Sequence, residues 1–299
     1  IARMLKVGNY GDKFVFITGC DTGFGLELAR RLDSLGFHVF AGCFNKELSQ
    51  SLSGSSSNRL RIVHIDVSKA ESIKEAVKKV KEQIPSEKGL WALVNNAGIG
   101  GSWAPSEMCT KEDFVPVFDV NFFGLVETTR LCLPLVRKAH GRIVNMASAA
   151  GILAFVAAPY TCSKFAVEAY SDIIRREMYQ YGVKVSVLEP GVFKTSIVNV
   201  DKMVDLVKQV HDNLSTEVKD FYGPDAINRC RERFIGFNDN GASDVTSVVD
   251  AYTHAITARF PQKRYPVGTD CKVVFKPLSY FPSWFVDWYI NFQVYGKGV

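Results

Sequence analysis

Short apolar runs alternate with helix-like stretches along most of the chain, and this alternation constrains the fold more than any other feature. Strands that alternate with helices build a parallel sheet with helices on both faces. Nearly continuous runs of Val, Ile and Leu fit strands that are buried on both sides. The sequence therefore predicts an α/β fold, a doubly wound parallel sheet, in a single domain over residues 1–299. Strands are predicted at 14–18, 39–43, 60–65, 90–94, 142–147 and 183–188, and helices at 26–35, 70–84, 111–139 and 159–181.

The composition is that of an ordinary globular chain. Hydrophobic residues make up 47% of the 299 residues and charged residues 22%, enough apolar mass for one large α/β domain or two small ones. The net charge of +5 is mild and no run of Lys or Arg stands out, so no nucleic-acid partner is predicted. The seven Cys and five His are scattered, so we predict neither disulfides nor a metal site, and a reducing compartment is favoured. The Ser-rich stretch 51–57 is predicted to be a solvated loop.

A glycine-rich turn follows the first strand and opens a helix. Gly19, Gly23 and Gly25 have the spacing Gly-x3-Gly-x-Gly rather than the commoner Gly-x-Gly-x-x-Gly. Glycine allows a tight turn and a close backbone approach, and the N-terminus of the helix attracts a diphosphate. A plain glycine turn is the alternative, but the place of the motif in the first strand–helix unit favours dinucleotide binding.

Tyr160 and Lys164 lie four positions apart on a predicted helix, and therefore on one face of it. A free Tyr has a pKa near ~10 and is a poor base at neutral pH. A fixed cation nearby stabilises the phenolate, so we expect Lys164 to lower the pKa of Tyr160. A Tyr tuned in this way can take a proton from an alcohol while hydride leaves the carbon. A Lys four positions after a Tyr is common by chance, so the pair carries weight only together with other motifs.

Polar or small residues also end the other predicted strands, where doubly wound sheets bind their ligands. Asp66 either accepts a hydrogen bond from an adenine amino group or caps the next helix near Ser68. Asn121 lies in a hydrophobic helical stretch, and a buried Asn there needs a hydrogen-bonding reason. Ser148 either orients a substrate oxygen or is a plain hydroxyl at the end of a strand. The fourth and sixth strands end in Asn95-Asn96-Ala97-Gly98 and Pro190-Gly191.

Taken together and in this order, these motifs resemble the short-chain dehydrogenase/reductase family over about residues 12–270. The resemblance depends on Thr-Gly-x3-Gly-x-Gly, Asn-Asn-Ala-Gly, Asn121, Ser148, Tyr-x3-Lys and Pro-Gly. Finer features look like its retinol and hydroxysteroid dehydrogenase branch, to which mitochondrial 3-hydroxybutyrate dehydrogenase is related. Among them are Gly19-Cys20-Asp21, Glu87-Lys88-Gly89-Leu90-Trp91 and Pro277-Leu278-Ser279-Tyr280. The resemblance implies a Rossmann-type sheet with a helical lid over the substrate.

The resemblance also implies the roles of individual residues. Tyr160 would be the acid/base, and Lys164 would lower its pKa and bond the nicotinamide ribose. Ser148 would hold the substrate oxygen, and Asn121 would anchor a water that relays protons to Lys164. The implied cofactor contacts are Gly19, Asp21, Thr22, Gly23, Phe24, Gly25, Cys43, Asp66, Val67, Asn96, Ala97, Gly98, Tyr160, Lys164, Pro190, Gly191, Val192 and Thr195.

The cofactor is predicted to be NAD rather than NADP. An acidic residue at the end of the second strand normally binds the adenosine ribose of NAD, but Cys43 stands at that position. No Arg stands there to meet a 2′-phosphate, and Lys46 fits a solvated surface side chain better. Asp21 is expected near the ribose, where its charge repels an added phosphate.

A long connection, about residues 192–241, is predicted to form the substrate lid. Its apolar side chains, such as Phe193 and Met203, suit a hydrophobic alcohol of the retinoid or hydroxysteroid class, although they also suit plain packing of the lid helices. Two alternatives stay open. One is an NAD-binding regulator without turnover. The other is a dehydrogenase for a small hydroxy acid such as 3-hydroxybutyrate, which needs a cation in the pocket, for example Arg229, Arg231 or Arg233.

An aromatic extension, about residues 267–299, ends the chain. Charged and proline residues interrupt it, so no run reaches the ~20 apolar residues of a spanning helix, and none is predicted at Ile1 either. Aromatic amphipathic segments suit a membrane surface, and packing over the core or against another subunit is the alternative. The resemblance implies association with the endoplasmic reticulum membrane, with mitochondrial or cytoplasmic locations as alternatives. It also implies a homodimer or homotetramer paired through the helices at 111–139 and 159–181.

Overall fold

A sheet of seven parallel strands forms the centre of the molecule, in the order β3-β2-β1-β4-β5-β6-β7. The computed structural model describes residues 5–53, 56–155, 157–195, 197, 199–239 and 241–295. The order of the strands reverses between β1 and β4, and ligands of doubly wound sheets bind beyond the carboxyl ends of the strands at such a point. The strands are β1 (Phe14–Thr18), β2 (His38–Cys43), β3 (Leu60–His64), β4 (Leu90–Asn95), β5 (Arg142–Met146), β6 (Lys184–Pro190) and β7 (Arg264–Val267).

Helices connect the strands and cover both faces of the sheet. They are α1 (Gly23–Ser34), α2 (Lys46–Ser53), α3 (Ala70–Glu82), α4 (Lys111–Phe118), α5 (Gly124–Lys138), α6 (Ala158–Glu177), α7 (Val200–Asp212), α8 (Thr216–Tyr222), α9 (Ala226–Asp239), α10 (Thr246–Thr257), α11 (Lys276–Leu278) and α12 (Ser283–Tyr295).

Alternate residues of the central strands feed two cores on opposite faces of the sheet. In β1, Val15 packs in one core with Leu28 of α1 and Tyr252 of α10, whereas Phe16 packs in the other core with Ile73 of α3. Both faces of a strand therefore need apolar side chains, which explains why the runs in the sequence are nearly continuous. The predicted doubly wound α/β fold is confirmed.

The helical span predicted at 111–139 is found from Lys111 to Lys138, but it is not one regular α-helix. A π-helical turn, Asp119–Phe123, separates α4 from α5. Asn121 lies in this turn, and its side chain bonds the backbone of another loop. A π-helical turn lets a side chain leave the regular helical face, and such turns are frequent at functional sites.

Two other regions also differ from the sequence-based expectation. The Ser-rich stretch 51–57 is not wholly a loop, because α2 extends to Ser53 and Leu52 is buried. Residues 54 and 55 lie outside the described part of the chain. Neither α10 nor the short edge strand β7 was predicted.

The region predicted as the lid, 192–241, contains the helices α7, α8 and α9. Helices α7 and α9 pack around a small apolar core of their own, which includes Met203, Val207 and Phe234. That this region closes over a substrate stays a prediction. Beyond β7, a second π-helical turn, Cys271–Phe275, leads into α11 and then α12. Within the described ranges, none of the helices combines the length and the hydrophobicity that crossing a bilayer requires.

Candidate active site

One cavity of about 650 Å³ opens at the carboxyl ends of the central strands. It brings together residues that are spread from Gly19 to Phe275 along the chain. Three predicted site residues, Gly25, Cys43 and Asn121, are not in its lining. The predicted residues that line it are Gly19, Asp21, Thr22, Gly23, Phe24, Asp66, Val67, Asn96, Ala97, Gly98, Ser148, Tyr160, Lys164, Pro190, Gly191, Val192 and Thr195.

The glycine turn between β1 and α1 needs its glycines for two different reasons. Gly19 and Gly23 have positive φ angles of 71° and 63°, which residues with a side chain rarely adopt. A Cβ atom at Gly25 would clash with the carbonyl oxygen of Gly19 and the side-chain amide of Asn96. Gly25 therefore lets α1 start close beneath the turn without itself facing the cavity. The turn leaves the N-terminus of α1 open to the cavity, a geometry that fits a diphosphate.

Asn96 holds this turn against the end of β4. Its side-chain amide donates to the carbonyl oxygens of Thr18 (3.0 Å) and Gly19 (2.9 Å). In return, the Thr18 hydroxyl accepts from the backbone N–H groups of Asn96 (3.1 Å) and Ala97 (3.2 Å). The hydroxyl of the buried Tyr252 donates to Asn96 Oδ1 over 3.1 Å. The phosphate-side wall of the cavity is thus fixed by hydrogen bonds between three separate elements.

Asp21, in the glycine turn after β1, lies beside the residues that follow β2. Its carboxylate accepts from the backbone N–H groups of Phe44 (3.1 Å) and Asn45 (2.6 Å), both of which line the cavity. The side chain of Cys43 does not line the cavity, and a contact between this residue and the cofactor stays a prediction. Cys43 is buried in the core behind the cavity wall, where burial raises the pKa of its thiol to about 12. The alternation of β2 turns the Cys43 side chain away from the cavity.

Asp66 lines the cavity and also closes the turn before α3. Its Oδ1 atom accepts from the backbone N–H (2.9 Å) and the hydroxyl (2.7 Å) of Ser68. The alternative prediction, that Asp66 caps the next helix, is not met, because Lys69 occupies the N-cap position of α3. The adenine contact through the other carboxylate oxygen stays a prediction.

Tyr160, Ser148 and Lys164 converge in the middle of the cavity. Tyr160 hydrogen-bonds Ser148, whose hydroxyl also accepts from the backbone N–H of Ala150 (3.1 Å). Lys164 is only 2% exposed, and its Nζ atom lies 5.6 Å from the centre of the Tyr160 ring. The ammonium donates to the carbonyl oxygen of Met146 over 3.0 Å. A phenol and a hydroxyl are therefore paired in the lining of the cavity, with an ammonium close to the phenol ring.

The pKa values of this group are governed by burial. Burial raises the pKa of Tyr160, and the hydrogen bond with Ser148 offsets only part of that rise. Burial also lowers the pKa of Lys164 to about 8. The expectation that Lys164 brings the pKa of Tyr160 below its ordinary value is therefore not met in this structure. The physical reason is that burial of the phenol raises its pKa by more than the hydrogen bond with Ser148 lowers it.

Asn121 lies behind the cavity wall, 1% exposed, and its carboxamide is paired on both sides. Oδ1 accepts from the backbone N–H of Ile99 (2.8 Å), and Nδ2 donates to the carbonyl of Ile99 (3.0 Å) and to Ser163 Oγ (3.0 Å). This is the hydrogen-bonding reason that a buried Asn in an apolar helix requires. The predicted water relay stays a prediction.

Aromatic rings line another part of the cavity, which we call its substrate end. Phe155 stacks on Phe275 with ring centres 4.7 Å apart and planes inclined by 6°. Phe237 contacts both Phe155 (5.6 Å) and Trp103 (5.4 Å), and Trp103 packs edge-on against Phe234 (4.7 Å). The rings come from two loops, from α9 and from the second π-helical turn. This end of the cavity favours a flat or elongated apolar molecule.

A buried ion pair fixes the segment that carries Phe275. Lys276, the next residue, lies 3.3 Å from the carboxylate of the fully buried Glu189 at the end of β6, and Arg264 of β7 lies 2.9 Å from it. Burial nevertheless raises the pKa of Glu189. Phe275 is thus held in place by charges that are anchored to the sheet.

Several residues of the cavity escaped the sequence analysis. Phe44 and Asn45 directly follow β2, so the same argument from strand ends that selected Asp66 would have found them. Tyr252 and the aromatic residues carry no local signal, because each comes from a separate segment. Which of these residues lie together in the cavity wall cannot be predicted from the sequence without knowledge of the fold.

Comparison with known proteins agrees with this geometry. A family model described as short chain dehydrogenase matches residues 13–204. Short-chain dehydrogenase/reductase family 9C member 7 of Bos taurus is 44% identical over 292 residues, which cover 95% of this chain and 91% of that protein. Retinol dehydrogenase 7 of Rattus norvegicus is 43% identical over 284 residues, which cover 94% and 88%. The structure of a short-chain dehydrogenase from Streptomyces avermitilis matches with a TM-score of 0.73 at 22% identity, covering 94% of this chain and 95% of that one. The predicted family is confirmed: the chain belongs to the short-chain dehydrogenases and is a nicotinamide-dependent oxidoreductase.

Proposed function

We propose that this chain transfers hydride between a nicotinamide cofactor and a hydrophobic alcohol or its carbonyl, of the retinoid or hydroxysteroid class. One observation carries the proposal: the aromatic rings line the same cavity as the hydrogen-bonded pair Tyr160 and Ser148. A relative that is 43% identical bears the name retinol dehydrogenase, which supports the same class.

The proposed chemistry divides between the cofactor and the side chains. The nicotinamide ring, when bound, accepts hydride from the alcohol carbon or returns it to the carbonyl. The hydroxyl of Ser148 orients the substrate oxygen by a hydrogen bond, and Tyr160 accepts the alcohol proton during oxidation or donates a proton during reduction. The ammonium of Lys164 stabilises the negative charge that develops on the Tyr160 oxygen when its proton leaves.

The small hydroxy acid is the less favoured substrate. It needs a cation aimed at the carboxylate, and the side chains of Arg229, Arg231 and Arg233 are exposed and absent from the cavity lining. Among the described lining residues, the cations are Lys164 and the exposed Lys202 at the start of α7. The aromatic wall therefore offers a carboxylate little compensation for losing its water.

NAD is the proposed cofactor in preference to NADP. The carboxylate of Asp21 lines the cavity and is held by the amides of Phe44 and Asn45, and its negative charge would repel an added 2′-phosphate bound beside it. No Arg belongs to the described lining of the cavity. Comparing kcat/KM with NAD and with NADP tests this choice, and a strong preference for NADP would refute it.

A turnover screen with retinoids, hydroxysteroids and short hydroxy acids tests the function. We expect turnover of apolar alcohols with NAD. We expect the Tyr160→Phe variant to lower kcat by about 100- to 10 000-fold, the range for loss of a general acid or base, with cofactor binding retained. Turnover of short hydroxy acids alone would favour that alternative. Unchanged biological activity of Tyr160→Phe would favour a regulator that binds NAD without turnover.

We also propose that the aromatic C-terminal segment lies on a membrane surface, with the endoplasmic reticulum as the location. Trp284 and Trp288 of α12 are 73% and 60% exposed, and Phe281 and Phe292 beside them are exposed as well. Exposed Trp and Phe in such density are typical of helices at the boundary between lipid and water. Flotation of the chain with lipid vesicles tests the proposal, and a chain that stays at the bottom of the gradient contradicts it.

A second copy of the chain is the proposed protein partner, in a homodimer or homotetramer. The surface formed by α4, the first π-helical turn and α6 exposes the large apolar side chains Val115, Phe123, Phe165 and Ile173. Such side chains on one surface favour burial in an interface. Light scattering gives the mass, and Phe165→Glu is expected to dissociate the assembly. A monomeric mass for the unaltered chain would contradict it.

A further inference from the structure

Ser163 connects the parts of the site through two hydrogen bonds. The residue is completely buried on α6, between Tyr160 and Lys164 in the sequence. Its hydroxyl donates to the backbone carbonyl of Tyr160 (2.7 Å) and accepts from Asn121 Nδ2 (3.0 Å). Asn121 in turn holds both backbone groups of Ile99, at 2.8 and 3.0 Å. A continuous chain of hydrogen bonds therefore runs from Ile99 in the cavity wall to the backbone carbonyl of Tyr160.

Gly98 shows how closely this chain adjoins the reacting groups. A Cβ atom at Gly98 would lie 3.2 Å from Asn121 Oδ1 and 3.4 Å from Lys164 Nζ. The carboxamide of Asn121 and the ammonium of Lys164 therefore face the same backbone position. A movement of Asn121 would change the packing against which Lys164 rests.

We propose that Ser163 is a positioning residue, which fixes Asn121 against Ile99 and thereby sets the placement of Tyr160 and Lys164 in the cavity. The role in turnover rests on the proposed function of Tyr160 and Lys164. Without the Ser163 hydroxyl, one N–H of the Asn121 amide is buried and unpaired, and a buried unpaired donor is costly enough to make the amide reorient. Reorientation of the amide would break its hydrogen bonds to the backbone of Ile99. It would also change the packing around the ammonium of Lys164.

The same helix contains a matched control. Ser171 is also buried, donates to a backbone carbonyl one turn earlier (Val167, 2.6 Å) and accepts from a buried Asn amide (Asn145, 2.9 Å). Asn145 belongs to β5 and pairs with Asn95 of β4, away from the lining of the cavity. Ser163→Ala and Ser171→Ala therefore remove the same kind of hydrogen bonds, but only the first lies beside the site.

The first measurement is amide hydrogen exchange at Ile99, which does not require turnover. Ser163→Ala is expected to speed exchange of this amide by roughly fivefold, the equivalent of weakening the bond from Ile99 N–H to Asn121 by about 1 kcal/mol. Ser171→Ala is expected to leave it unchanged. Equal exchange at Ile99 in the two variants overturns the proposal.

The second measurement is kcat, with the double variant Asn121→Ala/Ser163→Ala. Ser163→Ala is expected to lower kcat by roughly 10- to 100-fold, as misplacement of reacting groups by about 1 Å does. In the Asn121→Ala background it is expected to add almost nothing, because both residues act through one chain of bonds. Losses in kcat that are equal for Ser163→Ala and Ser171→Ala, or that add up in the double variant, overturn the proposal.

A failure of the proposed function has a different signature. If the unaltered chain turns over no alcohol, the proposed function fails, and exchange at Ile99 alone then decides whether Ser163 positions Asn121. If the unaltered chain turns over apolar alcohols but the two Ser variants behave alike, only the positioning role fails.

Discussion

The two ends of the cavity are built by different physics. At the phosphate end, backbone groups and short polar side chains approach one another closely, and hydrogen bonds among Thr18, Asn96 and Tyr252 fix their positions. At the substrate end, large rings from distant segments pack against one another, as Phe155 does with Phe275. A position where two backbone segments touch tolerates almost no change of residue. Packed rings tolerate substitutions that change the shape of a side chain but keep its volume. The phosphate end should therefore be rigid and the substrate end adaptable.

In the comparison of the two ends, the larger effect is expected from a methyl group at the phosphate end. In Gly25→Ala the added Cβ meets the carbonyl oxygen of Gly19, so the turn must move. We expect the free energy of unfolding to fall by about 1–3 kcal/mol, as for other overpacked sites. NADH affinity should fall roughly 100-fold, because the diphosphate site loses its geometry. Thermal unfolding and NADH fluorescence titration measure the two effects.

Gly236→Ala is the control for this substitution. Gly236 lies within α9, and no atom stands within 4 Å of its would-be Cβ. An Ala there should leave NADH binding unchanged and stabilise the helix by about 0.5–1 kcal/mol. Equal NADH affinity in the two variants would show that the glycine turn is not the tightly constrained end.

The second prediction concerns Lys164 and Tyr160: we expect activity to fall as the pH rises. Burial lowers the pKa of Lys164 to about 8, and burial raises the pKa of Tyr160 above its ordinary value. In the direction of carbonyl reduction, Tyr160 stays protonated and Lys164 is charged only below about pH 8. We therefore expect kcat/KM for reduction to be flat at lower pH and to fall roughly tenfold per pH unit above that point.

Lys164→Arg sharpens this prediction. A guanidinium keeps its charge throughout the range, so the decline near pH 8 should disappear even though the overall rate is lower. A profile of the unaltered chain that stays flat to pH 10 would mean that the charge on Lys164 does not govern the reaction.

The same contrast explains what the sequence could reveal. Gly19, Gly23 and Gly25, Tyr160 with Lys164, and the residues at strand ends are constrained by local geometry, so short motifs identified them. The burial of the Cys43 side chain was not foreseen because the argument located the end of β2 but not which way that side chain points. The pKa of Tyr160 was misjudged because burial depends on the whole fold. Phe155, Phe237 and Phe275 contribute to one wall from separate segments, and no local pattern in the sequence joins them.

A third, smaller effect is expected at the substrate end. Phe275→Ala removes one ring of the stacked pair and should raise KM for a long apolar alcohol roughly tenfold, the equivalent of about 1.4 kcal/mol of lost pocket contact. NADH affinity should not change, because the ring lies away from the glycine turn. Phe281→Ala, an exposed Phe outside the cavity lining, is the matched control. If both variants raise KM equally, Phe275 does not contact the substrate.

The smallest expected effect lies farthest from the chemistry, on α12. Trp284 and Trp288 are exposed, so Trp284→Ala/Trp288→Ala should leave folding and turnover of a short water-soluble alcohol unchanged. Vesicle binding should weaken roughly three- to fivefold per ring, because each ring removes apolar area that the lipid would cover. Phe221→Ala removes another exposed ring, 80% exposed on α8, and should not alter flotation. If Phe221→Ala weakens flotation as much as the Trp variants do, the chain adheres to lipid without orientation. A chain without a fixed orientation on the membrane would not direct the substrate end of its cavity toward the lipid from which an apolar substrate comes.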